Sequence, residues 1–215
     1  MMKLSAQITG TGIMEASYIT SAARPDQFID WNYPEVVFLG RSNCGKSSLL
    51  NAILKSKSLA RVSSSPGRTR MVNFFSLSPQ KEQTLILADL PGWGYSTAGR
   101  EIEALWKDLL DVYLKRTQIR DLLVLIDVRR EFVRYELDFI RDLATRASVS
   151  CVLTKIDKLR PNELRQIEKQ TQELFAREKL PVSNLFMVSS LNKKGVDELR
   201  QFLFRHLSLN LKKNS

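Results

Sequence analysis

Three short runs in this chain carry side chains whose types and spacing suit a nucleoside triphosphate. The first is GRSNCGKSS, Gly40 to Ser48, which fits G-x-x-x-x-G-K-S at Gly40, Gly45, Lys46 and Ser47. Glycines at those places let the backbone bend until its N–H groups face an anion, and a helix opening after the loop adds a favourable field. Lys46 would reach the outer phosphates and Ser47 would offer its hydroxyl to Mg2+, while Arg41, Ser42, Asn43, Cys44 and Ser48 complete the cradle. The second run is DLPG, with Asp89, Leu90, Pro91 and Gly92. Asp89 suits Mg2+, directly or through water, and the Gly92 N–H can sense a γ-phosphate. The third is TKID, with Thr154, Lys155, Ile156 and Asp157. A carboxylate there can accept from both N1–H and the N2 amino group of guanine, a donor pair that adenine lacks, and Lys155 can lay its aliphatic stem along the base.

Two weaker signals extend the set. SSSPGRTR contains Pro66, Gly67, Arg68 and Thr69, and a threonine on such a loop can bring hydroxyl and carbonyl to Mg2+ or to the γ-phosphate. Ser63, Ser64 and Ser65 compete for that role. VSS, at Val188, Ser189 and Ser190, ends a strand-like run and can touch the base edge with its backbone. A D-x-x-G turn is common and TKID could end any strand, so it is their order behind the phosphate loop that joins them. The catalytic candidates are Lys46, Thr69 and Gly92.

The elements that must position these residues are legible from hydrophobic pattern. VVFLG reads as a buried strand and is followed, after Gly45, by a helical face of Leu49, Leu50, Ile53 and Leu54. VNFFSL and TLILAD read as a hairpin. A helix is expected from about Glu101 to Lys115, then the strand DLLVLIDV, a helix with Val133, Leu137, Ile140 and Ala144 on one face, and the strand SVSCVLT. A helix lined by Leu164, Ile167, Thr171 and Leu174 follows, then the strand LFMVSS and a last helix carrying Leu199, Phe202, Leu203 and His206. Strands alternating with helices predict a three-layer α/β P-loop fold of the Ras-like type. Its sheet would be mostly parallel and six-stranded, with one antiparallel edge strand and helices on both faces. Residues 1–34 read as an irregular extension, 35–207 as the nucleotide-binding domain and 208–215 as a polar tail.

The chain of 215 residues carries a formal charge of +10. That balance favours a polyanionic partner such as RNA, through Lys55, Lys57, Arg61, Arg68 and Arg70, with RREFVR from Arg129 as a further basic stretch. Two cysteines, Cys44 and Cys151, are too few for a disulfide scaffold, and no run approaches a membrane span, so a soluble cytoplasmic protein without a membrane anchor is expected. Trp93 and Tyr95, flanking Gly94 in a loop that is a poor place for core, read as a contact surface whose exposure depends on nucleotide state, and His206 as a packing residue. A covalent role for Cys44 is not expected, although oxidation or alkylation there would disturb the loop.

Taken in order, GRSNCGKSSLLNAI, SSSPGRTRMVNFF, LADLPGWGYS, LTKIDKL and VSS resemble the EngB family of bacterial ribosome-biogenesis GTP-binding proteins, of the TRAFAC class of P-loop GTPases, over about residues 18 to 207. The pairing of PGRT…NFF with DLPGWGY carries most of the specificity. The resemblance implies GTP and GDP binding with Mg2+, slow hydrolysis, and a role in assembling the large ribosomal subunit with an rRNA contact. It also implies a bacterial, cytoplasmic location, a free monomer, and a link to the cell cycle, cell division and septation. It places Thr69 in the first switch, starts the second at Asp89 and Gly92, and has Ser189 to Leu191 support the base. Related GTPases use an asparagine at the place of Asn43 to help hold K+, so Asn43 is a candidate K+ ligand. The family more often has a small apolar residue at Cys44 and tyrosine at Trp93. Trp93 stands where Ras-like GTPases place a water-orienting glutamine, which predicts slow turnover. Three alternatives stay open: a GTP-binding module with negligible turnover, a GTPase with another RNA-related target, and a small-molecule kinase, for which no lid is evident.

Overall fold

A computed structural model describes residues 15–56, 59–60, 71–80, 83–93 and 108–208. Seven strands form one sheet in the order β1-β3-β4-β2-β5-β6-β7. They are β1 Glu15–Ala22, β2 Glu35–Gly40, β3 Val72–Gln80, β4 Gln83–Asp89, β5 Ile119–Asp127, β6 Ser148–Thr154 and β7 Val182–Met187. The pairs β2–β4, β2–β5, β5–β6 and β6–β7 are parallel, whereas β3 runs antiparallel to both β1 and β4. The P-loop architecture, its parallel core and its antiparallel hairpin side are as the sequence predicts. Among the described residues the strand count is seven instead of six, because residues 15–22, read as irregular, form β1 beyond β3.

The extra strand escapes hydrophobic pattern reading for a physical reason. EASYITSA buries only Ala22 and leaves Tyr18 and Ile19 exposed, so there is no apolar alternation to see. It is held by backbone pairing and by hydroxyl contacts across the ladder, Ser17 Oγ to Ser76 Oγ at 2.7 Å and Ser21 Oγ donating to Asn73 Oδ1 at 2.5 Å.

Helices cover both faces. The α1 helix Lys46–Ile53 and the α5 helix Val196–Ser208 pack Leu49, Leu50, Ile53, Leu199 and Leu203 against Phe38, Leu87 and Leu125. On the other face lie α2, helical over residues 108–113, with α3 Arg134–Ala144 and α4 Pro161–Arg177. These bury Tyr113, Leu137, Ile140 and Leu164 against Leu39, Val124 and Leu153. Val133 does not belong to the buried stripe of α3. It precedes the helix in an extended conformation and is exposed, and Leu143 takes its place inside. His206 is buried edge-on to Phe202, in keeping with a packing role. No helix among the described residues is long and apolar enough to cross a membrane.

One charged cluster fixes the entry to β2. Glu35 is fully buried. It accepts from Trp31 Nε1 at 2.6 Å, from Tyr113 Oη at 2.5 Å and from Arg116 Nη2 at 2.7 Å. The Arg116 guanidinium also lies 5.5 Å over the Trp31 ring and donates to the Ile29 carbonyl at 2.7 Å. Segment 29–31, the end of α2 and the start of β2 therefore meet at one carboxylate. A buried ion pair adds little net stability against an apolar replacement, but losing one partner strands the other charge. Glu35→Ala is expected to lower the unfolding free energy by about 3–5 kcal/mol in urea titrations. A loss below about 1 kcal/mol would show that solvent reaches Arg116 without cost.

Candidate functional site

The phosphate loop runs from the end of β2 into α1. Gly40 admits no side chain, since a Cβ there would sit 2.6 Å from Cys44 Sγ and 2.8 Å from the Leu125 carbonyl oxygen. Gly45 has φ +101° and stands just before α1, where no side chain caps the helix, so the first-turn N–H groups face the loop's concavity. Cys44 turns its side chain into the core, and burial pushes its thiol up, which removes it as an accessible target for alkylation in this conformation. Ser47 and Ser48 are half-buried in the first turn of α1.

Lys46 points toward the end of β4, with Nζ 4.0 Å from Asp89 Oδ1. Asp89 is buried, and this oxygen has no hydrogen-bond partner among the described residues. Burial pushes the carboxyl up, opposed by the Lys46 charge and by a hydrogen bond from Asn73. Asn73 is itself held by Ser21, so a polar row crosses three neighbouring strands, Ser21–Asn73–Asp89, and ends at the candidate metal ligand.

The turn after β4 packs directly on the phosphate loop. The Ser42 N–H donates to the Trp93 carbonyl at 3.3 Å, and Arg41 and Trp93 form an isolated parallel bridge. A Cβ on Gly92 would meet Ser42 N at 2.9 Å and the Gly40 carbonyl oxygen at 3.1 Å. Leu90 and Pro91 are buried between them. The expectation that this loop is a poor place for core is corrected at Trp93: it is 5% exposed, edge-on to Phe139 with ring centroids 4.9 Å apart, and packs with the core. Apolar room beside α3 decides its placement, which the loop-like local sequence does not reveal. Tyr95, Lys57, Arg61, Ser63 to Ser65, Arg70 and the candidate site residues Pro66, Gly67, Arg68 and Thr69 lie outside the described residues.

The TKID segment reaches the phosphate loop from β6. Thr154 Oγ1 donates to the Cys44 carbonyl at 2.6 Å, and Lys155 Nζ donates to the Asn43 carbonyl at 2.5 Å. Lys155 has left-handed backbone angles, φ 60° and ψ 34°, which turn the chain sharply so that its side chain runs back over the loop. Ile156 is buried, and its N–H donates to the Val188 carbonyl at 3.4 Å. Asp157 accepts from Ser189 Oγ at 2.6 Å, and that hydroxyl holds its carboxyl below the usual range. Ser189 is fixed in turn by accepting from the N–H groups of Leu191 and Asn192, at 3.2 and 3.3 Å. Ser190 is half-buried beside it. The structure thus brings together Gly40 to Ser48, Asp89 to Gly92, Thr154 to Asp157 and Val188 to Ser190. Two residues of the site were not anticipated, Asn73 behind Asp89 and Asp127 behind Lys155, and Arg129, expected as part of a basic stretch, pairs with Asp127.

The arrangement sets the uncapped N-terminus of α1 and Lys46 at one end and Asp157, anchored by Ser189, at the other. A family model described as "50S ribosome-binding GTPase" matches residues 35–193. Proteins called "Probable GTP-binding protein EngB" align along most of the chain. The one from Campylobacter lari is 39% identical, covering 88% of this chain and 94% of its own, and the one from Caulobacter vibrioides is 38% identical, covering 88% and 82%. The chain belongs to the EngB family. A crystal structure of a probable EngB protein superposes with a TM-score of 0.59 at 18% identity, over 81% of this chain and 98% of that one. Two Era structures, one from Aquifex aeolicus bound to GDP and aluminium fluoride and one bound to MgGDPNP and a segment of 16S ribosomal RNA, each give a TM-score of 0.65 at 21% identity. They share the fold over 82% and 83% of this chain, which spans 57% and 58% of theirs.

In this EngB chain the close approach of Gly92 to Ser42 is directly testable. Gly92→Ala is expected to cost about 1–3 kcal/mol in urea unfolding, because the phosphate-loop backbone at Ser42 and Gly40 must give way. A variant as stable as its parent would mean that the turn can lift off the phosphate loop freely.

Proposed function

We propose that this EngB protein is a GTP-driven switch that hydrolyses GTP slowly and acts in assembly of the large (50S) ribosomal subunit. The observation that carries the reading is the pair of bonds from Thr154 and Lys155 to the carbonyls of Cys44 and Asn43, with Asp157 held by Ser189. A phosphate cradle and a guanine-reading carboxylate are thereby set at a fixed separation. Lys46 and the loop N–H groups take the phosphates, Asp157 takes N1–H and N2 of the base, and Val188 to Ser190 back its edge. The donor set fits Mg2+: Asp89 Oδ1 is buried without a hydrogen-bond partner among the described residues, and a carboxylate with the hydroxyls of Ser47 and Thr69 is the oxygen set that a hard cation takes. Mg2+ there supplies neutralisation of phosphate charge. Thr69 and Gly92 would sense the γ-phosphate.

Trp93 supports slow turnover. Its indole has a donor and no acceptor, and it is packed on Phe139, where it cannot orient an attacking water. Asn43, exposed on the rim of the loop, is placed to help hold K+ beside the phosphates. A GTP-binding module with negligible turnover is the second reading, favoured by the same burial of Trp93. The formal charge of +10 suits a contact with rRNA in a pre-ribosomal particle, in the cytoplasm of a bacterium.

Asp157→Asn is expected to weaken GTP binding and improve xanthosine triphosphate binding, read by nucleotide competition. An unaltered preference for GTP would reject the base-reading role. Turnover in K+ is expected to exceed that in Na+ by about tenfold at equal ionic strength. Equal rates would remove Asn43 as a K+ ligand. Large-subunit precursors from depleted cells should retain the GTP form better than the GDP form, and equal retention would reject the assembly switch.

A further inference from the structure

Asp127 ends β5 and is almost fully buried, yet it carries none of the chemistry assigned above. Its carboxylate faces two cations at once. Arg129 grips it with Nε to Oδ1 at 2.9 Å and Nη2 to Oδ2 at 2.7 Å, and the Arg129 backbone N–H adds a bond to Oδ1 at 3.1 Å. On the other side, Oδ2 lies 3.0 Å from Lys155 Nζ, the ammonium that also donates to the Asn43 carbonyl. Burial alone would push the Asp127 carboxyl up, but the bonds from Arg129 and Lys155 outweigh it and hold the group well below the usual carboxylate range.

The surroundings explain why this carboxylate matters. Arg41, Arg129, Arg130 and Lys155 all line one pocket beside the phosphate loop, and Asp127 and Glu136 are the acids that line it. Glu136 lies 3.7 Å from Arg41. Asp127 therefore answers for both Arg129 and Lys155. In its absence the Lys155 ammonium would keep a single neutral acceptor, the Asn43 carbonyl, while facing an uncompensated guanidinium. A lysine with a flexible four-carbon stem would then leave its place over the loop.

We infer that Asp127, clasped by Arg129, is a positioning residue that locks the Lys155 ammonium onto the phosphate loop and so sets the lysine stem where the guanine base must lie. The inference rests on the guanine-nucleotide reading above. Asp127 touches no nucleotide; its effect passes through Lys155. It acts on how long a nucleotide stays, while the choice of base remains with Asp157.

The test is a double-mutant cycle on the full chain, reading GDP release with a fluorescent GDP analogue. Asp127→Asn is expected to speed release by about tenfold, the scale of a hydrogen bond to a charged group, with guanine still preferred over xanthine. In a Lys155→Met background, which keeps an aliphatic stem without its charge, the same substitution should change release by less than about twofold. Equal effects in both backgrounds would overturn the inference, because Asp127 would then act on the fold and not through Lys155. Unchanged release in Asp127→Asn would overturn it as well, with the guanine reading intact. Should Asp127→Asn fail to fold, Arg129→Gln carries the same cycle with a smaller expected effect of about threefold, again abolished by Lys155→Met. A parent protein that bound no guanine nucleotide would overturn this inference and the functional reading together.

Discussion

The hydrogen bonds that Thr154 and Lys155 give to the carbonyls of Cys44 and Asn43 join two loops that lie 110 and 112 residues apart in sequence. The phosphate loop spends two of its own N–H groups on holding its shape, Ser42 on the Trp93 carbonyl and Cys44 on the Arg41 carbonyl. Two of its carbonyls are then tied down from outside, by the end of β6 and the residue that follows it. Both loops sit at the carboxyl ends of parallel strands, β2 and β6, with β5 between them. The sheet order is therefore what makes the tie possible, and the registers of β2 on β5 and β5 on β6 set its length.

A second constraint follows from the turn after β4. Gly92 and Trp93 are pressed against Ser42 and Gly40, and Trp93 is wedged against Phe139 of α3. The residue that would sense a γ-phosphate is thus seated between the phosphate loop and an aromatic contact. Any movement of this turn has to break packing on one side and backbone contacts on the other.

Much of this was legible in the sequence, and what was not has definable causes. GRSNCGKSS, DLPG and TKID declare themselves because their chemistry is local: a few residue types at fixed spacing next to apolar strands. The buried parallel strands do so because both their faces are apolar. β1 was missed because its stability comes from backbone pairing and serine hydroxyls, which leave no hydrophobic period. Trp93 was misplaced because its partner, Phe139, is distant in sequence and becomes a neighbour only through the fold. Asp127 and Asn73 are not legible because an acid ending an apolar strand, or an asparagine opening one, gives no hint of the cation or carboxylate it will meet, and Arg129 reads only as part of a basic stretch. In Asp127 a retrospective signal exists: DVRR places an acid two residues before an arginine where the strand ends, a spacing that permits the clasp.

The polar character of β1 has a bearing on how the chain is made. Ser21 and its partner Asn73 are 52 residues apart. At about 5–20 residues per second during synthesis, this segment emerges and then stays unpaired for roughly 3–10 s before its neighbour follows. A strand rich in valine and isoleucine would spend that interval as an adhesive edge. One in which Ser17, Thr20 and Ser21 interrupt the apolar residues can remain hydrated until the nascent hairpin arrives to receive it.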